Sequence, residues 1–281
     1  MLGASFFMEE LASIASQIPT QDRLPKVKER IDRVGISGLK TALKLVDHGV
    51  ESPFTVDIDL FIDLDTDKKG IHMSRLVESI NDTVALCSRE PRECFEMLGS
   101  DILTKLRDKH RFTRGEITIR TTMLLRRFTP VTNKPTDEPY DVAIKVIMDQ
   151  DQLFKNLKVN VIGSTLCPHS LETTHGKAHV QRAEIDLSIE APIKEDIPLE
   201  ELVDICERSF SSPTYTVLKT VDEAAVVEKM FANPKFVEDV ARDCLRFTTN
   251  LGFKGKVKIR AISYESIHKH NAISEIERVF N

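Results

Sequence analysis

Residues 166–182, with the sequence LCPHSLETTHGKAHVQR, separate two segments that alternate in polarity as β-strands do. This loop concentrates one thiol, three imidazoles and a basic end. A thiolate and imidazoles brought together across a turn suit zinc or ferrous iron. The loop therefore predicts a metal site. The spacing between Cys167 and His179 matches no zinc-finger pattern, so a solvated polar loop is the alternative interpretation.

The pattern on either side of this loop predicts a mixed unit of strands and helices. Strands are expected at 157–162 and 180–189, a helix at 199–210, and a helical region at 222–249 that Pro234 interrupts. Strands at 256–263 and 272–280 complete the unit.

The first half of the chain shows the same order of elements. Strict alternation of apolar residues with aspartates over 56–64 indicates a half-buried strand with a solvated acidic outer face. Ser74 is placed to cap the first of two helices. The other predicted elements are a strand at 31–46, a helix at 93–109, and strands at 115–129 and 142–148.

Two similar ββααββ units in tandem predict an α+β protein with antiparallel sheets and helices on one face. We expect an N-terminal arm at residues 1–25, a first unit at 26–150 and a second unit at 151–281, which carries most of the active site. Such sheets have exposed edges, which association of identical subunits would cover. The sequence therefore predicts a homo-oligomer.

Composition limits the classes of partner and the compartment. Acidic residues exceed basic ones by five among 281 residues, so no general attraction to nucleic acid or to an anionic membrane is expected. Five scattered cysteines fit reduced thiols better than a disulfide framework. No apolar run reaches the roughly 18–20 residues that span a bilayer. We expect a soluble, cytoplasmic protein.

Three residues far apart in the sequence have the chemistry of a metal centre. Cys167, His179 and Glu223 would supply sulfur, nitrogen and oxygen ligands and leave a position open for water. His268 could then shuttle protons, because its ordinary pKa lies near neutral pH. Taken singly, Glu223 and Glu238 have another interpretation, since carboxylates in early helical turns are often solvated and complement the helix dipole.

Six ordered blocks resemble the type IB GTP cyclohydrolases, a family that includes the archaeal metal-dependent GTP cyclohydrolases of methanopterin synthesis. The resemblance extends from about Arg33 to the end of the chain. The blocks are Gly70-Ile71-His72-Met73-Ser74-Arg75, Thr165-Leu166-Cys167-Pro168-x-Ser170, Ala178-His179-x-Gln181-Arg182, Leu218-Lys219-x-x-Asp222-Glu223, Asn233-Pro234-x-Phe236-Val237-Glu238-Asp239 and Glu265-Ser266-Ile267-His268-x-His270.

This resemblance implies a tunnelling fold, in which subunits assemble into a homotetrameric barrel with active sites at their interfaces. It implies one divalent metal per subunit, Fe²⁺, Mn²⁺ or Zn²⁺, and GTP as the substrate. Metal-activated water would attack C8 of guanine, formate would leave, and the ring would re-close to 7,8-dihydroneopterin triphosphate.

The resemblance also implies a role for each matching residue. Cys167 corresponds to the family's functional cysteine, and His179 and Glu223 correspond to metal ligands. Glu238 corresponds to the carboxylate that binds the purine edge, where paired N–H donors suit a bidentate acceptor. His268 corresponds to a catalytic acid or base, and Glu265 beside it to an orienting residue or further ligand.

The chain departs from the family pattern at two positions. Relatives usually have a second cysteine where this chain has His169, and an asparagine is common at the position of Val180.

The alternative product is the archaeal-type 7,8-dihydroneopterin 2′,3′-cyclic phosphate. A nitrile reductase on the same fold would leave His179, Glu223 and His268 redundant. A non-catalytic purine- or pterin-binding oligomer is favoured only by His169.

Overall fold

The computed structural model describes residues 19–47, 50–87 and 92–281. Residues 1–18, which form most of the predicted N-terminal arm, lie outside the described residues. The described chain opens with a short 3₁₀ turn at Thr20–Asp22.

Nine strands and six α-helices follow in the described part of the chain. The strands are β1 (Ile31–Asp47), β2 (Val50–Leu64), β3 (Arg114–Phe128), β4 (Pro135–Asp149), β5 (Gln152–Leu166), β6 (Val180–Pro192), β7 (Ser212–Pro213), β8 (Gly255–Ser263) and β9 (Ala272–Phe280). The helices are α1 (Met73–Cys87), α2 (Phe95–Lys109), α3 (Pro168–Thr173), α4 (Leu199–Ser209), α5 (Thr220–Ala232) and α6 (Val237–Thr249).

All the described strands belong to one sheet, and their pairing is antiparallel, as the sequence predicts. Its order is β1-β2-β3-β4-β5-β6-β8-β9, and the short β7 pairs with β5. Asp149 of β4 pairs with Gln152 of β5, so the sheet continues without a break across the predicted boundary between residues 150 and 151. Strands β1 and β9 form its two edges within one subunit.

The hydrophobic core lies between the sheet and the helices. Ile58 and Leu60 of β2 are fully buried, as their alternation with aspartates predicts. Helix α2 packs on β3 and β4, and α4 and α6 pack on β5 and β8 respectively. Buried leucines and isoleucines of the helices, such as Leu98 and Ile102, complete this core.

The outer face of β2 is only partly the solvated acidic edge that the sequence predicts. Asp63 is 5% exposed, and one of its oxygens accepts hydrogen bonds from the backbone amides of Thr113 and Arg114, each at 2.9 Å. Its other oxygen pairs with Arg30 at 2.5 Å. The expectation that this aspartate is solvated is therefore wrong, because it fastens the loop before β3.

Two further local predictions are corrected. Helix α1 begins at Met73, so Ser74 lies inside the first turn and is not the capping residue. The loop of residues 166–182 contains a short helix, α3, with Pro168 in its first turn, where the missing amide proton of proline costs nothing.

The two halves of the chain contact each other through the hairpin of β3 and β4. Arg127 near the end of β3 forms ion pairs with Asp204 at 2.5 Å and Glu207 at 3.2 Å, both on α4. Burial raises the pKa of the Glu207 carboxyl, and the positive charge of Arg127 opposes that rise.

Within the described ranges, no helix combines the length and the apolar character needed to cross a bilayer.

Candidate active site

One cavity collects most of the residues singled out from the sequence. Its volume is about 420 Å³, and it lies between the turn after β5, the first turn of α6 and the loop that joins β8 to β9. Its polar lining comprises Cys167, His169, His179, Gln181, Lys235, Glu238, Ser263, Glu265, His268 and His270. A thiol, four imidazoles and two carboxylates therefore face one space.

Cys167 and His179 are fixed next to each other by the backbone. Cys167 is the N-cap residue of α3, and its sulfur accepts a hydrogen bond from the Ser170 amide at 3.4 Å. The Cys167 amide donates to the His179 carbonyl oxygen at 3.2 Å. The Ser170 hydroxyl joins both residues, because it donates to the Cys167 carbonyl and accepts from the His179 amide at 3.3 Å.

The His179 imidazole has a defined set of neighbours. Its Nδ1 lies 2.8 Å from Oε1 of Gln181, 3.5 Å from the Ser266 hydroxyl and 4.0 Å from a Glu265 oxygen. Only 14% of the His179 side chain and 13% of the Glu265 side chain are exposed. With Nδ1 occupied, Nε2 is the nitrogen available to a ligand.

Glu238 enters the cavity from the first turn of α6. The segment before it is held by Lys235, whose buried ammonium group donates to the Ser209 carbonyl at 2.9 Å and pairs with Asp243 at 2.7 Å. Burial raises the pKa of Asp243, but the hydrogen bond and charge of Lys235 outweigh it and leave the pKa lowered. Asn233 donates to the Phe210 carbonyl at 3.0 Å and fixes the turn between α5 and α6.

The loop after β8 brings the remaining imidazoles to the cavity. The rings of His268 and His270 stack with centroids 5.3 Å apart and an interplanar angle of 21°. Both side chains are exposed, so they lie at the mouth of the cavity and have access to solvent protons.

Glu223 is in a different place. It is exposed on α5 and is absent from the lining of the cavity that holds Cys167 and His179. Throughout the described residues, no three His, Cys, Asp or Glu side chains of one subunit are arranged to hold a metal ion. The structure thus brings together two of the three predicted ligands, and the third stays a prediction that needs a neighbouring subunit.

The start of α5 is nevertheless rigidly placed. Asp222, which is buried, accepts hydrogen bonds from the amides of Val131 and Thr132 at 2.9 Å, from the Thr132 hydroxyl at 2.7 Å and from the Lys219 amide at 3.1 Å. Burial raises the pKa of Asp222, but these hydrogen bonds outweigh it and hold the pKa well below its usual range. Glu223 follows directly, so its position on the surface is fixed by its neighbour.

Two residues at the cavity were missed as functional candidates by the sequence analysis. Gln181 and Lys235 are both buried polar side chains. Gln181 is one of the residues that match the family pattern, and Lys235 lies between two such residues, Pro234 and Phe236. The signal that could have found Gln181 was its place on the core-facing side of β6, where a polar residue needs a partner.

Comparison with known families decides the identity of the chain. The model of the family described as type I GTP cyclohydrolase FolE2 matches residues 19–274. The chain belongs to this GTP cyclohydrolase family. A GTP cyclohydrolase MptA of Thermococcus kodakarensis is 47% identical over 263 residues, covering 92% of this chain and 98% of that protein. A GTP cyclohydrolase FolE2 of Lawsonia intracellularis is 35% identical over 256 residues, covering 89% and 94%.

The solved structure of a uricase from Arthrobacter globiformis has a similar backbone. The TM-score is 0.57 with 6% sequence identity, and the match covers 91% of this chain and 96% of the uricase. At that identity the likeness shows the fold alone. The backbone of this GTP cyclohydrolase chain therefore has the uricase-like tunnelling fold.

The donor atoms of the cyclohydrolase cavity fit a divalent cation of borderline softness. Cys167 offers a sulfur and His179 an imidazole nitrogen, which together favour zinc or ferrous iron over the hard, oxygen-seeking magnesium. His169 and Glu265, which also line this cavity, are further donors of suitable chemistry.

Proposed function

We propose that this GTP cyclohydrolase opens the imidazole ring of GTP by metal-dependent hydrolysis. Formate is released from C8, and the ring re-closes to 7,8-dihydroneopterin triphosphate, the first step of folate and pterin biosynthesis. The observation that carries this proposal is the single cavity that Cys167, His179, Glu238 and His268 share in a chain of this family.

The proposed metal is one divalent ion per subunit, Fe²⁺, Mn²⁺ or Zn²⁺. Cys167 and His179 would hold it within the subunit, and Glu223 would come from a neighbouring subunit. When bound, such an ion lowers the pKa of a coordinated water towards neutrality and polarises the substrate.

The chain's own side chains would bind the base and move protons. Glu238 would accept two N–H groups from the guanine edge, since a carboxylate is a bidentate acceptor. Its position is suited to this role because Lys235 anchors the turn before α6. This contact would hold the guanine base so that its C8 atom faces Cys167 and His179.

His268 is the proposed acid and base. An imidazole at the mouth of the cavity can exchange protons with solvent and with the purine nitrogens in turn. The stacked ring of His270 restricts its orientation. Glu265, which lines the same space, would orient these groups or act as a further ligand.

The proposed assembly is a homotetramer with the active sites at subunit interfaces. The tandem units at 26–150 and 151–281 would form half of a barrel, closed by edges β1 and β9 of other subunits. Exposed apolar residues on β9, such as Ile273 and Val279, support an interface there. The five cysteines are free thiols, which fits the proposed location in the cytoplasm.

The second candidate product is 7,8-dihydroneopterin 2′,3′-cyclic phosphate. The resemblance to a family that includes archaeal GTP cyclohydrolases keeps it as an alternative. A purine- or pterin-binding oligomer without activity is the remaining candidate, and the presence of His169 is its only support.

Mass spectrometry of the reaction product tests these candidates together. The purified chain is incubated with GTP and, in separate reactions, Fe²⁺, Mn²⁺ or Zn²⁺, and formate is assayed in parallel. We expect formate and a dihydropterin, whose mass distinguishes the triphosphate from the cyclic phosphate. Binding of GTP without formate under every metal would support the non-catalytic alternative.

A further inference from the structure

The core-facing rows of three neighbouring strands end in polar residues beside the cavity. In β5, β6 and β8 these rows are otherwise apolar, consisting of Leu157, Val159 and Val161, of Ile185, Leu187 and Ile189, and of Val257, Ile259 and Ala261. The positions nearest the cavity are Thr165, Gln181 and Ser263, which are only 1%, 8% and 1% exposed. Burying polar groups is unfavourable unless they are hydrogen-bonded, so these three residues need partners.

The three side chains bond to each other in a chain. Thr165 lies opposite Gln181 in the β5–β6 ladder, and the Gln181 Nε2 donates to the Thr165 hydroxyl at 3.1 Å. The Thr165 and Ser263 hydroxyls are 3.2 Å apart. The amide end of Gln181 is therefore held by the sheet, and its carbonyl oxygen is directed to the one remaining partner, His179.

This arrangement determines which nitrogen of His179 carries the proton. The Gln181 Oε1 can only accept a hydrogen bond, and it lies 2.8 Å from Nδ1. The Ser266 hydroxyl and the Glu265 carboxylate are more distant from Nδ1, at 3.5 and 4.0 Å. With the Gln181 amide in this orientation, the hydrogen bond requires the proton on Nδ1, which leaves the lone pair on Nε2.

We propose that Gln181, held by Thr165 and Ser263, is a positioning residue that fixes His179 as its Nδ1–H tautomer and presents Nε2 to a divalent cation. The inference rests on the proposed function in that His179 is taken as a metal ligand. It goes further by assigning the group that prepares this ligand before any metal arrives. A neutral amide suits the task because it orients the ring without adding charge beside the sulfur of Cys167.

The tautomer can be measured directly by ¹⁵N NMR on the full-length chain labelled at histidine. The protein is stripped with a chelator, and the His179 signals are assigned with His179→Gln. We expect Nδ1–H in the unsubstituted chain and a mixture of tautomers in Gln181→Met, which keeps the side-chain length and lacks the acceptor. Thr165→Val, which releases the Gln181 amide, should produce a smaller change in the same direction.

Thr248→Val is the matched control for Thr165→Val. Thr248 is also fully buried, but its hydroxyl donates to the Cys244 carbonyl, away from the cavity. This control should leave the His179 signals unchanged. It separates the effect of the hydrogen-bonded chain from a general loss of packing.

Zn²⁺ titration against a competing chelator provides the second measurement. Loss of a residue that orients a metal-binding histidine costs about 10–100-fold in metal affinity, and we expect this loss for Gln181→Met. An unchanged tautomer together with an unchanged Zn²⁺ affinity in Gln181→Met would overturn the proposal. If Gln181→Met does not fold, the His179 tautomer in Thr165→Val and in the unsubstituted chain still tests the proposal.

The outcome is distinguishable from failure of the proposed function. An Nε2–H tautomer in the unsubstituted chain would overturn the positioning role even if GTP yields formate normally. An Nδ1–H tautomer that depends on Gln181, together with weakened Zn²⁺ binding in Gln181→Met, would support the role even if no formate is released from GTP.

Discussion

The Cys167 amide donates a hydrogen bond to the His179 carbonyl oxygen at 3.2 Å, so the two residues are joined through the backbone although eleven residues separate them. Each then presents its side chain to the same cavity. The loop between β5 and β6 therefore holds the two proposed metal ligands next to each other through its backbone.

Substitution of Cys167 should remove activity without unfolding the protein. We expect Cys167→Ala to reduce formate release from GTP by at least about a hundredfold, because a direct ligand contributes more than an orienting residue does. Loss of the sulfur that accepts the Ser170 amide should cost only about 0.5–1 kcal/mol of stability. Formate assay and thermal unfolding measure the two effects.

Cys94→Ala is the matched control for this substitution. Cys94 is also a partly exposed thiol at a helix N-cap, in front of α2, but it does not line the cavity. Its replacement should leave formate release unchanged. Undiminished activity in Cys167→Ala would remove the loop from the mechanism.

Mixing inactive variants tests whether Glu223 serves the cavity of another subunit. Cys167→Ala and Glu223→Ala should each be inactive alone. After co-expression in equal amounts, about one quarter of the sites should combine an intact cysteine from one subunit with an intact glutamate from another. Partial recovery of formate release would follow.

The absence of recovery in oligomers shown to contain both variants would contradict this arrangement. Retention of full activity by Glu223→Ala alone would show that Glu223 is not a ligand at all. Glu228→Ala, which changes another carboxylate on α5, is the control and should stay active without mixing.

The stability of the protein should depend on pH through Asp222. Its pKa is lowered in the folded state, and about 3.9 is expected when the chain is unfolded. Its contribution is therefore complete above the unfolded pKa and is lost as the pH falls from about 4 towards the folded value. Asp222→Asn should be less stable at neutral pH and should lose less stability on acidification.

Urea unfolding at a series of pH values between about 3 and 7 measures this difference. Asp151→Asn is a suitable control because its side chain is 95% exposed, and it should follow the unsubstituted chain. Parallel curves for Asp222→Asn and the unsubstituted chain would refute the anchoring role assigned to Asp222.

Any side chain at Gly163 should destabilise the protein, because the core has no space for it. A Cβ atom added there would overlap the ring of Phe210, which is 1% exposed and has no room to move. We expect Gly163→Ala to lower the unfolding free energy by about 1–3 kcal/mol, measured by chemical denaturation. Adding Phe210→Leu should recover part of the loss.

Gly70→Ala is the control for this prediction, because its nearest neighbour would be the Gln21 Cγ atom at an ordinary 3.7 Å. Equal destabilisation of the two variants would mean that the loss comes from chain flexibility and not from contact with Phe210.

The positions of the strands and helices could largely be predicted from the sequence. The alternation around Ile58 and Leu60 depends on chemistry that acts between near neighbours, so it predicts the buried face of β2 correctly. The same local logic failed at Asp63. Its burial depends on the Thr113 and Arg114 amides, which are fifty residues away in the sequence.

The sequence by itself determined the antiparallel strands, the helices that cover them and the family to which the chain belongs, because periodicity and motifs are properties of order along the chain. Only the tertiary structure decided that Cys167, His179 and Glu238 share a cavity, that Glu223 lies outside it, and that the Gln181 side chain contacts the His179 ring. Those facts depend on sheet register and on long-range hydrogen bonds, which connect residues that no local pattern relates.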